Sequence, residues 1–366
     1  MMKKIAIDCR CLEYRTGVSR YLLNILDNIF DEDKINRYYL ITPQFYDTLK
    51  KYEGISNVEI INLPTKHHFI YKFYKIRRFL KKINANIYWS PTQDTLLFKI
   101  KQCKIITSVH DIAFEHHRDW FGFRINILAR LGLYKRFVQN ADFILYVSNF
   151  TKEDVENTYK INKESITTYL GSSDVFKKIE KSVAKKYVAE KFNINNKYIF
   201  YLDTVRFEKL FDGFKLLLDK TPNIDLVCLG GFGGQNVLDY AKKIGVENNI
   251  KWINYRVSDT ELNNLYSGAE FFISPSYYEG FGLTPLEALQ SGTPIIISNV
   301  TSLPEVFQDS ALYINPYNSS DIYEKMLELL CNDDLKKDLL NKSLNIISKY
   351  NWQNVSHTIF QLLNSI

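Results

Sequence analysis

The sequence of 366 residues predicts an α/β protein made of two successive units, each with a parallel sheet covered by helices on both faces. Three observations lead to this prediction. The length favours two domains of roughly 150–200 residues over one ordinary core. Short apolar runs alternate with amphipathic helical stretches along most of the chain. The alternation is interrupted by a polar, helical connection over about residues 172–194 and then restarts.

The first half of the chain carries the predicted strands KKIAID, RYYLIT, VEIINL, IYWS, KIITSVHD, DFILYVS and ITTYLG. Helices are predicted at RYLLNILDNIF, near residues 69–82 and through INILARLGLYKRFVQNA. Ser148 or Thr151 is expected to cap the helix that follows DFILYVS. Strand–helix alternation of this kind is typical of a parallel sheet.

The second half repeats the pattern with the strands YIFYLD, DLVCLGG, IKWIN, EFFISPS, PIIIS and ALYIN. Helices are predicted at residues 208–220, 236–244, 259–268 and 285–291, and two more at the C-terminal end. Ligands of doubly wound sheets bind outside the carboxyl ends of the strands. With two such units, the cleft between them is the expected site.

Composition narrows the class of protein. Hydrophobic residues make up 46% and charged residues 24% of the chain, as in ordinary globular proteins. No apolar run reaches 18 residues, so no transmembrane helix is expected, and the start MMKKIAIDCR is too short in apolar residues for a signal peptide. The five cysteines are scattered without a CxxC pair, which indicates a reducing compartment and argues against a structural zinc. A cytoplasmic location is expected.

Charge is divided unevenly along the chain. Residues 1–180 hold 29 Lys and Arg against 20 Asp and Glu, whereas residues 181–366 hold 18 against 21. Residues 66–82 interleave basic and aromatic side chains, a pattern that suits an anionic membrane surface. An ordinary helix with a buried aromatic face explains it equally well. No nucleic-acid recognition motif accompanies the basic patch and the second half is acidic, so no nucleic-acid partner is expected.

The stretch SPSYYEGFGLTPLEALQSGTPIII, residues 274–297, places Glu279 and Glu287 on either side of a Gly-Phe-Gly turn. Thr284 is the predicted N-cap of the next helix and Pro285 its first residue. Unpaired N–H groups and the positive dipole end of a helix start hold phosphates. A phosphate-bearing ligand is therefore expected over residues 281–284.

The two acids also have simpler explanations. Glu287 lies three residues after Thr284, the spacing of a capping box, in which the Glu returns to the N–H of the Thr. Glu279 beside a glycine fits a solvated loop acid. The residues alone leave these alternatives open.

The longer stretch SPSYYEGFGLTPLEALQSGTPIIISNVTSLPEV resembles the donor-binding segment of retaining glycosyltransferases of the GT-B, family-4 type (glycosyl transferases group 1). Weaker similarities run through RTGVSRYLLNIL, SVHD and VSNFTKED. The resemblance implies two Rossmann-like domains with an interdomain cleft. The first domain, at residues 1–175, binds the acceptor and the second, at 176–349, binds the nucleotide sugar. The C-terminal helix, at about 350–366, is expected to pack back on the first.

The resemblance also implies roles for the residues of the turn. Glu279 contacts the hydroxyls of the transferred sugar and Glu287 contacts the ribose of the nucleotide. The diphosphate is held by the backbone of the turn, namely Gly280, Phe281, Gly282, Leu283 and Thr284.

Further roles fall outside this turn. Lys209 is matched to the lysine that neutralises the departing diphosphate, and Arg206 is a second candidate; pairing of Lys209 with a neighbouring acid, Glu208 or Asp212, is the simpler alternative. His110 is matched to the residue that holds the donor sugar, with Asp111 supporting its orientation. A lone His after a strand is otherwise more often structural. Gly17 is matched to the glycine that lies under the diphosphate.

The activity implied is transfer of a sugar, with retained anomeric configuration, from a nucleotide diphosphate sugar to a hydroxyl of a glycan or lipid-linked saccharide. Such a mannosyltransferase-like enzyme would act in surface-polysaccharide assembly, at the inner face of the membrane. No metal or other cofactor is expected, since Lys209 and the turn amides supply positive charge. The alternatives are an epimerase or phosphorylase on the same fold, or an inactive nucleotide-sugar-binding scaffold. Asp203 and Tyr255, where the family usually has Gly, favour the scaffold.

Overall fold

The computed structural model describes residues 2–13, 16–65, 70–202, 206–230 and 234–366. The chain divides into two compact units. The first comprises Met1–Gly171 together with Trp352–Ile366, and the second comprises Ser172–Asn351. The observed division between the units therefore falls at residues 171 and 172, where the sequence places it at 175 and 176.

The first unit holds a seven-stranded parallel sheet in the order β3-β2-β1-β4-β5-β6-β7. The strands are β1 (Lys4–Asp8), β2 (Arg37–Thr42), β3 (Val58–Asn62), β4 (Ile87–Ser90), β5 (Lys104–Val109), β6 (Phe143–Tyr146) and β7 (Ser165–Thr167). The helices are α1 (Gly17–Glu32), α2 (Arg77–Ile83), α3 (Ala113–His116), α4 (Phe123–Arg130), α5 (Leu133–Asn140) and α6 (Asn149–Tyr159). A π-helical turn, Tyr71–Ile76, leads into α2, and short 3₁₀ turns lie at Arg10–Glu13, Asp47–Tyr52 and Arg118–Trp120.

The second unit holds a six-stranded parallel sheet in the order β10-β9-β8-β11-β12-β13. The strands are β8 (Lys197–Leu202), β9 (Ile224–Leu229), β10 (Ile250–Ile253), β11 (Phe272–Ser274), β12 (Ile295–Ser298) and β13 (Leu312–Ile314). The helices are α7 (Lys181–Phe192), α8 (Glu208–Leu218), α9 (Gly234–Ile244), α10 (Asp259–Gly268), α11 (Leu283–Gln290), α12 (Leu303–Phe307), α13 (Ser319–Cys331) and α14 (Asp333–Lys349), with a 3₁₀ turn at Glu247–Asn249.

The last helix, α15 (Trp352–Ser365), belongs to the first unit. It lies against α1, where His357 Nδ1 is 2.8 Å from a carboxylate oxygen of Glu32 and the ring of Trp352 meets that of Tyr21 at 6.2 Å. The ammonium group of Lys3 donates to the carbonyl oxygens of Leu363, Asn364 and Ile366 at 2.6–3.0 Å. The N-terminal strand and the C-terminal helix are thus tied together at the end of the chain.

All the predicted strands are present. Most of the apolar runs that predict them are buried in the two sheets, whereas the edge strands β3 and β7 hold only partly buried or exposed residues. Ser148 caps α6 as expected, with its hydroxyl oxygen accepting from the N–H of Thr151 at 3.0 Å. The helical stretch predicted through residues 125–141 is present. It is two helices, because Gly132 adopts a left-handed φ of 63° between them.

Among the described residues, no helix combines the length and apolar character needed to cross a membrane. The last part of the basic-aromatic stretch, residues 70–82, is packed as a helix with Tyr71, Ile76 and Leu80 buried. Residues 66–69, with which that stretch begins, lie outside the described residues, as do Asp203 and Thr204.

Candidate active site

Glu279 is fixed in the loop that follows β11, at the carboxyl end of the sheet. Its N–H donates to the hydroxyl oxygen of Thr301 at 3.1 Å, and its carbonyl accepts from the hydroxyl of Ser302 at 2.9 Å. One carboxylate oxygen accepts from the hydroxyl of Ser276 at 2.9 Å. The backbone and the side chain are therefore both held, and the simpler explanation of Glu279 as a solvated loop acid does not describe this environment.

The helix after the loop begins earlier than the sequence predicts. Helix α11 starts at Leu283, and Gly282 is its N-cap with a left-handed φ of 95°. The prediction that Thr284 caps the helix and Pro285 opens it is wrong, since Thr284 is already its second residue. A glycine can adopt the left-handed conformation at this point without the steric penalty of a Cβ atom.

Gly282 is also required by packing. A Cβ atom at this position would lie 2.6 Å from Leu303 Cδ2 and 2.9 Å from Phe307 Cε2, both side chains of α12. The absent side chain therefore makes room for α12 in the core. The neighbouring Phe281 is buried and meets the ring of Tyr350 at 5.4 Å. Phe281 can thus reach a ligand only through its backbone.

Glu287 lies one turn inside α11 and only 2% of its surface is exposed. A carboxylate oxygen of Glu287 accepts from the hydroxyl of Tyr266 at 3.3 Å. The capping-box alternative is wrong, because Thr284 is not the N-cap of the helix. A buried acid that is not a cap requires hydrogen-bond donors at its carboxylate, and Tyr266 supplies one.

The start of α11 presents donors at the edge of the unit. Leu283 and Thr284 are partly exposed, whereas Gly280 is buried. The first N–H groups of any helix lack partners inside the helix and carry the positive end of its dipole. Leu283 and Thr284 can therefore donate N–H groups to an anion at this edge.

Lys209 and Arg206 follow β8, which pairs directly with β11. Lys209 is the second residue of α8 and is exposed, and no carboxylate of the described residues forms an ion pair with it. Asp212, one of the two acids offered as a structural partner beside Glu208, instead accepts a hydrogen bond from the hydroxyl of Tyr240 at 2.7 Å. Lys209 is thus a cation at a helix start, where the dipole disfavours it unless an anion binds.

Arg206 adopts a left-handed φ of 62°, and its guanidinium carbon lies 6.0 Å from the centre of the Tyr277 ring. Tyr277 in turn stacks on Tyr317, with ring centres 4.6 Å apart and planes 7° from parallel. Burial, with Glu208 nearby, raises the pKa of Tyr277, while Arg206 opposes the shift. Arg206 is thereby brought against the loop that carries Glu279.

In the first unit, His110 follows β5 at the carboxyl end of the sheet. Its Nε2 atom lies 2.9 Å from the carbonyl oxygen of Pro91, and since a carbonyl only accepts, Nε2 carries the proton. The ring meets Tyr21 edge to face at 4.8 Å. Burial lowers the pKa of His110 to about 4, against the opposing effect of the Pro91 hydrogen bond. The imidazole is therefore neutral at physiological pH, with Nδ1 as its acceptor atom.

Asp111 does not orient His110, contrary to the role carried over from the family. Its carboxylate accepts from the N–H of Ala113 at 3.0 Å, and burial raises its pKa. The backbone of His110 is held instead by Thr151, whose hydroxyl donates to the His110 carbonyl at 3.4 Å. Thr151 of α6 thus supports the position of His110.

His110 and Asp111 line a cavity of about 840 Å³, and all of its described lining residues belong to the first unit. A buried ion pair lies at its polar end, where Arg10 donates to the Asp8 carboxylate at 2.6–3.0 Å. Tyr88 donates to the same carboxylate at 2.8 Å, and Arg10 holds the pKa of Asp8 below its usual value despite burial. The cavity is large enough to enclose a drug-sized ligand.

Gly17 is the exposed first residue of α1. The N–H of the preceding Thr16 donates to the hydroxyl oxygen of Ser19 at 3.1 Å, and that hydroxyl donates to the carbonyl of Cys11 at 2.6 Å. These bonds hold the loop before α1, and Thr16 also lines the cavity.

The structure adds residues that the sequence did not single out. Ser276, Thr301 and Tyr266 hold the two glutamates, and Pro91 holds His110. Ser276 could have been found by its place in the strand-end segment SPSYYE. The others lie between 19 and 22 residues from their partners, so local patterns give no sign of them.

Two doubly wound parallel-sheet units in series, with the polar residues described above following the carboxyl ends of the strands, define a protein of the GT-B class. The Anabaena protein Alr3699/HepE, solved in complex with UDP-glucose, shares this fold with a TM-score of 0.78 at 14% identity, covering 99% of this chain and 100% of that one. WaaG, a glycosyltransferase involved in lipopolysaccharide biosynthesis, superimposes with a TM-score of 0.72 at 16% identity, covering 99% of this chain and 100% of that one.

The sequence comparisons agree with the fold. Residues 184–345 match the family model "Glycosyl transferases group 1", and residues 15–169 match "Glycosyltransferase Family 4". O-antigen chain mannosyltransferase B of Escherichia coli is 28% identical over 93% of both chains. O-antigen chain mannosyltransferase RfbU of Salmonella typhimurium is 25% identical over 80% of this chain and 77% of that one. The chain belongs to the family-4, group 1 glycosyltransferases of GT-B fold, and it is a glycosyltransferase.

Proposed function

We propose that this glycosyltransferase moves a hexose of the mannose type from a nucleoside diphosphate sugar to a hydroxyl of a glycan or lipid-linked saccharide. The proposal rests on Glu279, whose backbone N–H and carbonyl are both hydrogen-bonded and which lies beside the start of α11. A fixed carboxylate next to unpaired N–H groups suits a ligand with sugar hydroxyls and phosphate in one molecule. The named activities of the relatives support mannose as the sugar and surface polysaccharide as the product.

The second unit would hold the donor. Glu279 accepts hydrogen bonds from hydroxyls of the sugar, with Ser276 holding its carboxylate in place. The N–H groups at the start of α11 and the cations Arg206 and Lys209 face the diphosphate, and Glu287 takes the ribose. These N–H groups and cations would stabilise the negative charge that develops on the leaving phosphate.

The chemical step breaks the bond between the anomeric carbon of the sugar and its phosphate oxygen. The acceptor hydroxyl forms the new bond on the same face, and its proton passes to an oxygen of the leaving phosphate. The transition state carries oxocarbenium character, as in glycoside hydrolysis. No protein base is assigned. The neutral ring of His110 would accept a hydrogen bond from a sugar hydroxyl through Nδ1.

No metal is assigned a role in this proposal, since the cations and amides supply the positive charge. Retained activity in the presence of EDTA is the expected result. Loss of activity with EDTA and its recovery with a divalent cation would contradict this part of the proposal.

The test is a panel of GDP-mannose, UDP-glucose and related donors, with release of the nucleoside diphosphate and NMR of the product as readouts. One donor should be consumed, with the anomeric configuration retained. Glu279→Gln should lower kcat/KM at least a hundredfold, or about 2.7 kcal/mol, while the exposed Glu324→Gln should leave it unchanged. Binding without turnover of any donor would favour the inactive scaffold instead.

We also propose that the enzyme acts at the cytoplasmic face of a membrane, with its first unit against anionic lipid. Phe123 and Ile127 of α4 and Leu131 at its C-cap succeed one another at four-residue spacing, and Phe123 and Leu131 are 80% and 61% exposed. Arg124 and Arg130 flank this row, and residues 120–141 contain no acid. An exposed apolar row with basic flanks suits the membrane interface.

The stretch at residues 66–82 would contribute its exposed residues, Ile70 and Tyr74 among them, beside exposed Arg78, Lys81 and Lys82. Co-sedimentation with vesicles of phosphatidylglycerol, compared with phosphatidylcholine, tests this contact. We expect binding to the anionic vesicles that weakens in Phe123→Ser and in Tyr74→Ser. The absence of binding to the anionic vesicles at low salt would refute this proposal.

A further inference from the structure

We propose that Tyr277 and Tyr317, which we call the tyrosine pair, position Arg206 for the diphosphate of the donor. The inference rests on the proposed function, which assigns Arg206 to the diphosphate, and it deepens that function by naming the side chains that hold the arginine. Neither tyrosine is assigned a contact with the reacting atoms. Tyr277 is a positioning residue that acts through Arg206, and Tyr317 acts through Tyr277.

Arg206 lies just before α8, outside any helix or strand. An arginine side chain samples many rotamers and loses that freedom when it binds a phosphate. A contact that holds the side chain before the ligand arrives therefore strengthens binding. The guanidinium carbon of Arg206 lies 6.0 Å from the centre of the Tyr277 ring, within reach of a cation–π contact. The Tyr277 ring thus supplies such a contact.

An aromatic ring suits this role better than an acid does. An aromatic face attracts a guanidinium group without occupying its N–H donors. A carboxylate in the same place would take those donors and cancel the positive charge. The contact with Tyr277 therefore holds Arg206 without competing with phosphate for it.

Tyr317 fixes the plane of the Tyr277 ring. The two rings are stacked, with centres 4.6 Å apart and planes 7° from parallel. Tyr277 lies three residues after β11 and Tyr317 three residues after β13, so the tyrosine pair joins two loops at the carboxyl edge of the sheet. Stacked aromatic rings attract each other beyond the effect of the area that they bury. The stack thus limits rotation of the Tyr277 ring and keeps it beside Arg206.

The loop that carries Tyr317 is itself fixed. The N–H of Tyr317 donates to the side-chain oxygen of Asn315 at 3.0 Å, and the N–H of Asn315 donates to the Asp321 carboxylate at 2.6 Å. Asp321 belongs to α13, which begins at Ser319. A Cβ atom at Gly213 of α8 would lie only 2.7 Å from the Ser319 carbonyl oxygen, so α13 begins directly against α8. The tyrosine pair and the arginine are therefore carried by elements in direct contact.

A double-mutant cycle on the full-length protein tests whether Tyr277 acts through Arg206. Calorimetric titration with GDP, UDP, ADP and dTDP identifies the nucleotide that binds most tightly, and that nucleotide serves for all variants. Tyr277→Leu should raise its Kd ~tenfold, as expected for loss of a cation–π contact. In the Arg206→Ala background the same substitution should change the Kd by less than ~twofold. Equal losses in the two backgrounds would overturn the inference, since Tyr277 would then support the loop and not the arginine.

Three substitutions complete the test. Tyr277→Phe keeps the ring and should bring the Kd back to within ~twofold of the parent, and a Kd as high as in Tyr277→Leu would contradict the role of the ring. Tyr317→Leu changes a side chain that is 57% exposed, so it serves if Tyr277→Leu does not fold, and it should raise the Kd only where Arg206 is present. Tyr187→Leu, at a partly exposed tyrosine of α7, is the control and should leave the Kd unchanged.

The outcomes separate this inference from the proposed function. Binding of one nucleotide without coupling between Tyr277 and Arg206 would overturn the inference and leave the donor site standing. If none of the four nucleotides binds, the donor site fails and the inference falls with it.

Discussion

Substitution of Gly282 by alanine tests how the start of α11 is held. Gly282 is the N-cap of that helix with φ of 95°, and an added Cβ atom would lie 2.6 Å from Leu303 and 2.9 Å from Phe307. Gly245 is the matched control, because it also has a left-handed φ, 78°, but no atom lies within 4 Å of an added Cβ. Both glycines belong to the second unit.

The two substitutions differ in one physical effect. Each forces a residue with a Cβ atom into the left-handed region, which costs about 1–2 kcal/mol. Gly282→Ala also inserts a methyl group against Leu303 and Phe307, both fully buried, and overpacking of this kind costs about 1–3 kcal/mol more. We therefore expect Gly282→Ala to destabilise the second unit by ~2–5 kcal/mol and Gly245→Ala by ~1–2 kcal/mol.

Calorimetric unfolding of the full chain gives the comparison. The transition of the second unit should fall further in Gly282→Ala than in Gly245→Ala, and affinity for a nucleoside diphosphate should weaken in Gly282→Ala alone. Equal losses of stability in the two variants would refute the packing argument. Unchanged nucleotide affinity in Gly282→Ala would refute the role of this helix start.

Three further predictions concern single side chains. The folded-state pKa of His110, about 4, lies below the ordinary value of 6.5, so the neutral ring contributes stability that is present above pH 6.5 and is lost as pH falls towards 4. NMR should show the ring titrating near pH 4. A midpoint near 6.5 would contradict the burial argument. Asp8→Asn should destabilise the first unit by ~3–5 kcal/mol at pH 7, because Arg10 then stays buried without its partner. Since the pKa of Asp8 is lowered, the difference in free energy of unfolding between parent and variant, measured with urea, should shrink as pH falls below about 4. A loss of stability that is independent of pH would count against the ion pair. Tyr266→Phe removes the hydroxyl that donates to Glu287 and should weaken nucleotide binding several-fold, by about 1 kcal/mol, in a calorimetric titration. An unchanged affinity would mean that this hydrogen bond does not orient Glu287.

Most strands could be predicted from the sequence because the inner strands of both parallel sheets are buried, so that they are compact apolar runs such as IIIS or YIFYL. The resemblance to the family carried the placement of Glu279 and Glu287 at the start of α11. The sequence predicts the start of α11 two residues too late, because Thr and Pro are locally preferred as N-cap and first residue of a helix. The left-handed Gly282, packed under α12, decides it instead.

Contacts between distant parts of the chain cannot be predicted from local sequence patterns. Pro91 fixes His110 from 19 residues away, and Thr301 fixes Glu279 from 22 residues away. The cavity combines side chains from β1 to α5, so that its volume cannot be seen in any single stretch of sequence.

The most direct test of the central claim is whether the second unit binds a nucleoside diphosphate through Lys209. Calorimetric titration with GDP, UDP, ADP and dTDP should show binding of one of them. Lys209→Ala should then weaken it ~10–100-fold, as expected for loss of a charge-assisted contact, while Lys215→Ala, an exposed lysine on the same helix, should not change it. No binding of any nucleotide, or equal effects of the two substitutions, would contradict the assignment of the donor site.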